Sequence, residues 1–200
     1  MNVLVVYAHP ERGSFCGAVL DAFLAGVSQA GGDVRLRDLY QLRFNPCLGG
    51  EEFRRERKEG DSRAVPNDVR IEQEHVLWAD AVVFVCPLWW SDVPAILKGW
   101  FDRVWTKGFA WAYSGNPELR QVGSKRAMII ITAGASREKL YSDGIVQALQ
   151  SVIVGDRFRN AGLEADEVAL LPNLDRAEES ELQGLLNSAR SLGVRIVSLE

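Results

Sequence analysis

In the stretch YAHPERGSFCGAVL, residues 7–20, a histidine closes an apolar run and a serine stands just ahead of a helical pattern. A helix starting near Phe15 with Ser14 as its cap would aim unpaired backbone N–H groups and the positive end of its dipole beyond the run. That arrangement is suited to binding phosphate. The turn contains neither G-x-G-x-x-G nor G-x-x-x-x-G-K-[ST], so a phosphate here would be held by side-chain hydroxyls and ordinary amides. His9 at the end of the run would donate from its imidazole to a phosphate oxygen. The competing reading is an imidazole satisfied by local backbone.

The stretch CPLWWSDVP, residues 86–94, follows a second apolar run and puts two adjacent tryptophans in a loop. Pro87 stops the run, Leu88, Trp89, Trp90 and Ser91 present flat apolar area and backbone amides, and Pro94 suits the first turn of a helix. A flat conjugated ligand with polar edges, such as an isoalloxazine, would stack on this surface. Adjacent indoles on a loop point in different directions, which argues against both being core. After a third run, TAGASREKLYSDGI supplies the small residues Thr132, Ala133, Gly134 and Ala135, which let a ring approach the backbone, and Tyr141 to reach its polar rim. A phenol there would stabilise negative charge developing on the ring, or else serve only as a helix anchor. In KGFAWAYSG, residues 107–115, the aromatics Phe109, Trp111 and Tyr113 alternate and are expected to wall a pocket, with a plain loop anchor as the alternative.

The elements that must position these residues are legible as strands and helices. Residues 3–8, 81–86, 127–132 and 167–171 are nearly continuous apolar runs, as strands covered on both faces require, and the alternating DVRLRDL at 33–39 suits an edge. Helical stripes fall at Val19, Phe23 and Val27, at Ile145, Leu149, Val152 and Ile153, and at Leu182, Leu185, Leu186, Ala189 and Leu192. The alternation predicts an α/β fold, a three-layer doubly wound structure around a five-stranded parallel sheet of order 2-1-3-4-5. Ligands of such sheets bind beyond the carboxyl ends of the strands, where all the candidates above fall. The helix after Pro94 is apolar on more than one face, with Ile96, Leu97, Trp100, Phe101, Val104 and Trp105, and predicts a second copy of the chain as its cover. Residues 49–68 are a charged excursion with Phe53 as their one large apolar anchor, read as a solvated helix and loop or as a surface for a partner subunit.

The 200 residues suit a single domain over 1–200. A charge of −4, from 23 basic and 27 acidic residues, gives no field for nucleic acid or an anionic membrane and favours a small-molecule partner. No apolar stretch reaches membrane-spanning length and the opening lacks the pattern of a signal peptide, so a cytoplasmic location is expected. Cys16, Cys47 and Cys86 form no C-x-x-C and suggest neither a disulfide framework nor a metal site.

Taken together, AHPERGSF, CPLWWSDVPAILKGWFDRV, GFAWAY and ITAGAS resemble the NAD(P)H:quinone oxidoreductases of the flavodoxin-like fold, collinearly from residue 3 to about 145. The resemblance implies a homodimer with a tightly bound flavin, FAD or alternatively FMN. It implies NAD(P)H as hydride donor, and two-electron ping-pong transfer to quinones or similar flat electrophiles. On that pattern His9, Ser14, Phe15, Cys16 and Ala18 would line the pyrophosphate. Pro87, Leu88, Trp89, Trp90 and Ser91, with Thr132, Ala133, Gly134 and Ala135, would hold the isoalloxazine, and Tyr141 would be catalytic. Trp111 and Tyr113 would reach over the partner's flavin as substrate-binding residues. Two departures stand out: Val146 where mammalian members have a histidine, and Trp89 where they have a glutamine. A flavodoxin-type electron carrier and a flavin-binding regulatory subunit of a transporter are the alternative readings.

Overall fold

The computed structural model describes residues 1–57, 64–111, 121–165 and 168–198. Six strands form one parallel sheet: β1 (Asn2–Tyr7), β2 (Asp33–Asp38), β3 (Ala81–Pro87), β4 (Lys125–Thr132), β5 (Leu163–Glu164) and β6 (Val168–Leu171), in the order β2-β1-β3-β4-β5, with β6 also on β4. The expected order 2-1-3-4-5 is therefore present, but its fifth position is shared by two short strands. Lys125 pairs with Leu163, whereas Ile129 pairs with Val168, so the offset grows from 38 to 39 residues between them. A two-residue strand has no hydrophobic period to read, which is why β5 left no trace in the sequence pattern.

β1 and β3 are buried along nearly their whole length because helices cover both faces. Val3, Val5 and Tyr7 face a layer made by α1 (Phe15–Gln29) and the C-terminal helix. Leu4, Val6 and Ala8 face the other layer, which holds α3 (Asn67–Trp78) and α4 (Ala95–Val104). The segment after β4 comprises α5 (Arg137–Ser142), α6 (Ile145–Leu149) and, continuing directly, a π-helix over Gln150–Phe158, before α7 (Glu179–Ser198) closes the chain. In the α6–π segment the buried residues are Leu149, Ile153, Val154 and Phe158, while Val152 is exposed. The i→i+5 ladder widens each turn, so a stripe drawn at α-helical spacing misplaces Val152.

α1 and α7 touch backbone to backbone. A Cβ on Gly26 would fall inside van der Waals contact of the Arg190 carbonyl, and one on Gly193 inside that of the Phe23 carbonyl. On the opposite face, α4 meets an aromatic cluster from its own chain. Phe84 lies 5.6 Å from Trp100, 4.9 Å from Phe101 and 5.4 Å from Phe158, and Trp105 lies 5.0 Å from Trp100. Ile96, Leu97, Trp100, Phe101 and Val104 are all buried within the single chain, so the broad apolar surface of α4 does not need a second copy to cover it.

Glu72 and Gln73 are paired inside this layer, whereas the buried Trp105 Nε1 makes no hydrogen bond among the described residues. Glu72 on α3 is almost fully buried and accepts from Arg37 Nε and Nη2 at 2.9 and 2.6 Å and from Trp100 Nε1 at 3.0 Å. Gln73 donates to the Val104 carbonyl and Thr106 Oγ1. The excursion at 49–68 contains α2 (Gly50–Arg57), whose Glu52 binds the buried Arg103 at 3.0 Å, while Phe53 is exposed.

Arg103 also donates to Asp68 at 2.5 and 3.2 Å, and this ion pair holds the Asp68 carboxyl below its usual value. A carboxylate with a depressed native pKa contributes stability above its unfolded pKa, near 4, and loses it as pH falls through the native value. The Asp68 side chain is 47% exposed, so the effect is modest. Thermal unfolding below about pH 4 is expected to lose stability less steeply in Asp68→Asn than in the parent, and parallel acid limbs would refute the assignment.

Candidate functional site

The carboxyl ends of β1, β3 and β4 come together through named contacts. Leu88 N donates to the Thr132 carbonyl at 2.8 Å, tying the loop after β3 to β4, and the His9 ring lies 5.8 Å from that of Trp89. The buried Cys16 thiol has the buried Thr132 side chain as a polar neighbour, which brings the start of α1 to the same place.

The first turn is built around Ser14, the cap of α1, whose Oγ accepts from Gly17 N at 3.3 Å. The amides of Phe15 and Cys16 open the helix and have no intrahelical acceptor. Gly17 is required where it stands, because a Cβ would run into the Arg12 carbonyl. His9 Nδ1 accepts from Glu11 N at 3.0 Å and lies 3.1 Å from Ser14 Oγ. Nδ1 also lies 2.9 Å from the Glu11 carbonyl, so the partners of this nitrogen are all local, and Nε2 makes no hydrogen bond among the described residues. Local backbone thus satisfies one side of the imidazole and orients the other. Arg12 is committed to Asp21 and the Gly17 carbonyl.

Burial pushes the Cys16 thiol up to about 11, the neighbouring Thr132 side chain opposing, and pushes Cys86 well above its ordinary value. Neither is a nucleophile at neutral pH. Cys16 therefore offers the site its amide and not its side chain. Burial also raises Tyr7 to about 12, with the neighbouring Cys16 adding to the effect. Its hydroxyl is buried and, among the described residues, makes no hydrogen bond.

Trp89 and Asp92 exchange backbone hydrogen bonds at 3.0 and 3.1 Å, closing a tight turn whose central residues Trp90 and Ser91 both take positive φ, 50° and 64°. Such turns favour glycine or asparagine. A tryptophan there is strained by about 1–3 kcal/mol, the kind of cost that concentrates at functional sites. Trp90 projects fully into solvent, Trp89 is 39% exposed, Leu88 is half-buried and Pro87 is buried. Asp92 accepts from Val93 N at 2.7 Å and lies 3.6 Å from Arg157 of the π-helix, which anchors the turn.

The loop after β4 is laced to residues 173–175. Asn173 N donates to Ala135, Leu174 N to Ala133 and Asp175 N to Gly134, at 2.8, 3.1 and 3.3 Å. A Cβ on Gly134 would collide with the Asp175 carboxylate, so the small residue makes room for this lacing, a purpose the sequence did not suggest. The lacing uses the loop's carbonyls, and the amides of Gly134 and Ala135 have no acceptor among the described residues. Ser136 caps α5, and Tyr141 near its end is 46% exposed. Ala18 is half-buried on α1, one turn beyond the cap.

Phe109 differs from expectation. It is buried with its ring 6.3 Å from Trp105, and is a core anchor and not a pocket wall. Trp111 is half-buried, and Tyr113 lies outside the described residues. Sequence reasoning passed over Tyr7 because a tyrosine at the end of an apolar run reads as core. The only signal was an aromatic hydroxyl directly after the aliphatic run Val3, Leu4, Val5, Val6.

These donors fit a flavin nucleotide. Two helix amides without an intrahelical acceptor, a hydroxyl and an imidazole serve a phosphate, and exposed indoles beside free loop amides serve a ring with polar edges.

The family model described as a flavodoxin-like fold matches residues 1–154. A NAD(P)H oxidoreductase of Haemophilus influenzae is 30% identical over 190 residues, covering 94% of this chain and 92% of that protein. NAD(P)H dehydrogenase [quinone] 1 of Cavia porcellus is 34% identical over 154 residues, 70% of this chain but only 56% of that longer protein. The solved NAD(P)H:quinone oxidoreductase of Methanothermobacter marburgensis superimposes with a TM-score of 0.89 at 38% identity, covering 97% of this chain and 98% of the other.

Proposed function

The chain belongs to the flavodoxin-like fold family, and from that premise we propose that it is a flavin-dependent NAD(P)H oxidoreductase acting on quinones or similar flat electrophiles. The observation that carries the reading is the meeting of three loops, with the His9 ring 5.8 Å from Trp89 and Leu88 bonded to Thr132. It puts phosphate donors, a stacking surface and free loop amides within one ligand's reach.

When bound, a flavin would supply two-electron hydride chemistry between NAD(P)H and a quinone, in two half-reactions at one place, with the quinone's remaining proton coming from solvent. The chain's residues bind and orient. The Phe15 and Cys16 amides, Ser14 Oγ and His9 Nε2 hold the phosphate end, with Ala18 alongside. Trp89 and Trp90 form the shelf, flanked by Pro87, Leu88 and Ser91. The segment Thr132, Ala133, Gly134 and Ala135 supplies amides to the polar edge. Tyr141 donates its hydroxyl where negative charge develops, and with Val146 in place of an imidazole it is the principal side-chain donor there. Trp111 and Tyr113 cover the acceptor.

We assign FAD before FMN, one flavin-binding domain over 1–200, a cytoplasmic location and a homodimer. The fully exposed Trp90 supports the dimer, as apolar area that a neighbouring copy would cover. Among the described residues no helix is long and apolar enough to cross a membrane.

The direct test is the absorption spectrum of the purified protein, with denaturing release of the flavin to tell FAD from FMN. A protein that stays colourless after incubation with either overturns the proposal. Tyr141→Phe is expected to slow flavin bleaching by NAD(P)H about tenfold at unchanged flavin content. This is less than the ~10²–10³ of an oxyanion donor, because water replaces part of the bond at this exposed position. Stopped-flow absorbance reads the step, and an unchanged rate would reduce Tyr141 to an anchor.

A further inference from the structure

Tyr7 ends β1 on the face covered by α1, with its ring wholly buried and the Arg12 guanidinium 5.6 Å over it. Phenylalanine would fill this place without a polar atom. The tyrosine instead carries a hydroxyl that is buried and unbonded, an arrangement native proteins seldom keep without a use.

Its surroundings indicate the use. The Arg12 guanidinium over the Tyr7 ring donates to the Gly17 carbonyl at 2.9 Å, and Gly17 N is bonded to Ser14 Oγ, so the tyrosine lies at the start of α1 with Ser14 as a polar neighbour, without a hydrogen bond to it. Ser14 Oγ has one proton and two lone pairs. One lone pair takes Gly17 N at 3.3 Å, and the oxygen lies 3.1 Å from His9 Nδ1. Whenever the hydroxyl gives its proton to a partner, its second lone pair is left to accept. A phosphate at the start of α1 would draw the Ser14 proton to one of its oxygens, and His9 Nδ1 would keep its bond from Glu11 N. Tyr7, buried and unbonded among the described residues, is then a donor for the polarised serine oxygen, and a chain of such bonds strengthens each member.

Resting on the flavin reading above, we propose that Tyr7 is a positioning residue for the phosphate end of the cofactor, donating its hydroxyl proton to Ser14 so that Ser14 donates to phosphate. The burial that raises the phenol keeps it protonated, and so a donor, across the pH range of folded protein. Nothing is transferred. The proton of each hydroxyl stays on its own oxygen, and only the direction of the hydrogen bonds changes.

The test uses the flavin-free full-length chain and three ligands: FMN and FAD, which carry phosphate, and riboflavin, which does not. Tyr7→Phe is expected to weaken FMN and FAD about three- to tenfold, the worth of one hydrogen bond, and to leave riboflavin within about twofold. In a Ser14→Ala background the further substitution of Tyr7 should change FMN affinity by less than about twofold. The unfolding midpoint of flavin-free Tyr7→Phe should be equal or higher, since an unpaired buried hydroxyl has been removed. Three results would each overturn the proposal: unchanged FMN affinity, riboflavin weakened as much as FMN, or an undiminished Tyr7 effect without Ser14. A parent chain that binds none of the three would overturn the flavin reading itself, and the parent titration tells that failure apart from the others.

Discussion

Glu72→Ala is expected to lose about 3–5 kcal/mol of stability, the usual cost of removing one member of a buried ion pair. The carboxylate is about 2% exposed and binds two dissimilar partners, the Arg37 guanidinium and the indole N–H of Trp100. Their fates differ. Arg37, 18% exposed along its side chain, can turn towards water, whereas Trp100 is wholly buried and its Nε1 would be left unsatisfied. For a chain of this length each kcal/mol moves the melting temperature by about 2–4 °C, so a fall of roughly 6–20 °C is expected by circular dichroism. Glu72→Gln keeps an acceptor for the indole and should lose distinctly less. Equal losses would mean that the charge, and not the hydrogen bond to Trp100, carries the effect.

Gly193→Ala is the second large effect, and Gly184→Ala in the same helix is its control with opposite sign. Both substitutions gain up to about 1 kcal/mol of helix propensity. At Gly184 a new Cβ meets nothing within 4 Å, so that gain should appear as a small rise in melting temperature. At Gly193 the Cβ would enter the Phe23 carbonyl oxygen and crowd Gly26, and because both obstacles are backbone the helices must move apart. Overpacking of this kind costs about 1–3 kcal/mol or more, which exceeds the propensity gain. Two melting curves settle the matter: if both variants rise together, α1 and α7 have room between them that the structure does not show.

Sequence reading succeeded where the physics is local or the burial two-sided. β1, β3 and β4 are continuous apolar runs because both faces are covered, and Ser14 announces α1 through the cap it forms. It failed where a residue's partner is distant. α3 escaped notice because two of its buried positions are Glu72 and Gln73, polar residues satisfied by Arg37, Trp100 and Thr106, which lie 28 to 35 positions away. The α4 surface looked too apolar for one chain because nothing in the sequence shows that Phe84 and Phe158 converge on it. The candidate loops were legible from residue type and their place after strands. Which atoms remain free in them was not, since that depends on hydrogen bonds such as Glu11 to His9, Leu88 to Thr132 and Asn173 to Ala135.

The two ends of the sheet have a bearing on how chains can meet. A strand at an open edge is a template for another strand, and proteins that must stay dispersed blunt it. β2 does so with charge: DVRLRD sets arginines at alternate positions, Arg35 lying 4.1 Å over the Trp78 ring and Arg37 on Glu72, so both are held in place beside the exposed Val34 and Leu36. The far edge does so by interruption, since β5 and β6 are short and out of register with each other by one residue. Neither edge offers a long, flat row of backbone groups. Association by continuing the sheet, the route to fibrous aggregates, is thus disfavoured at both ends, and any specific pairing of two copies is left to side chains on the helical faces and on the loops at the carboxyl ends of the strands.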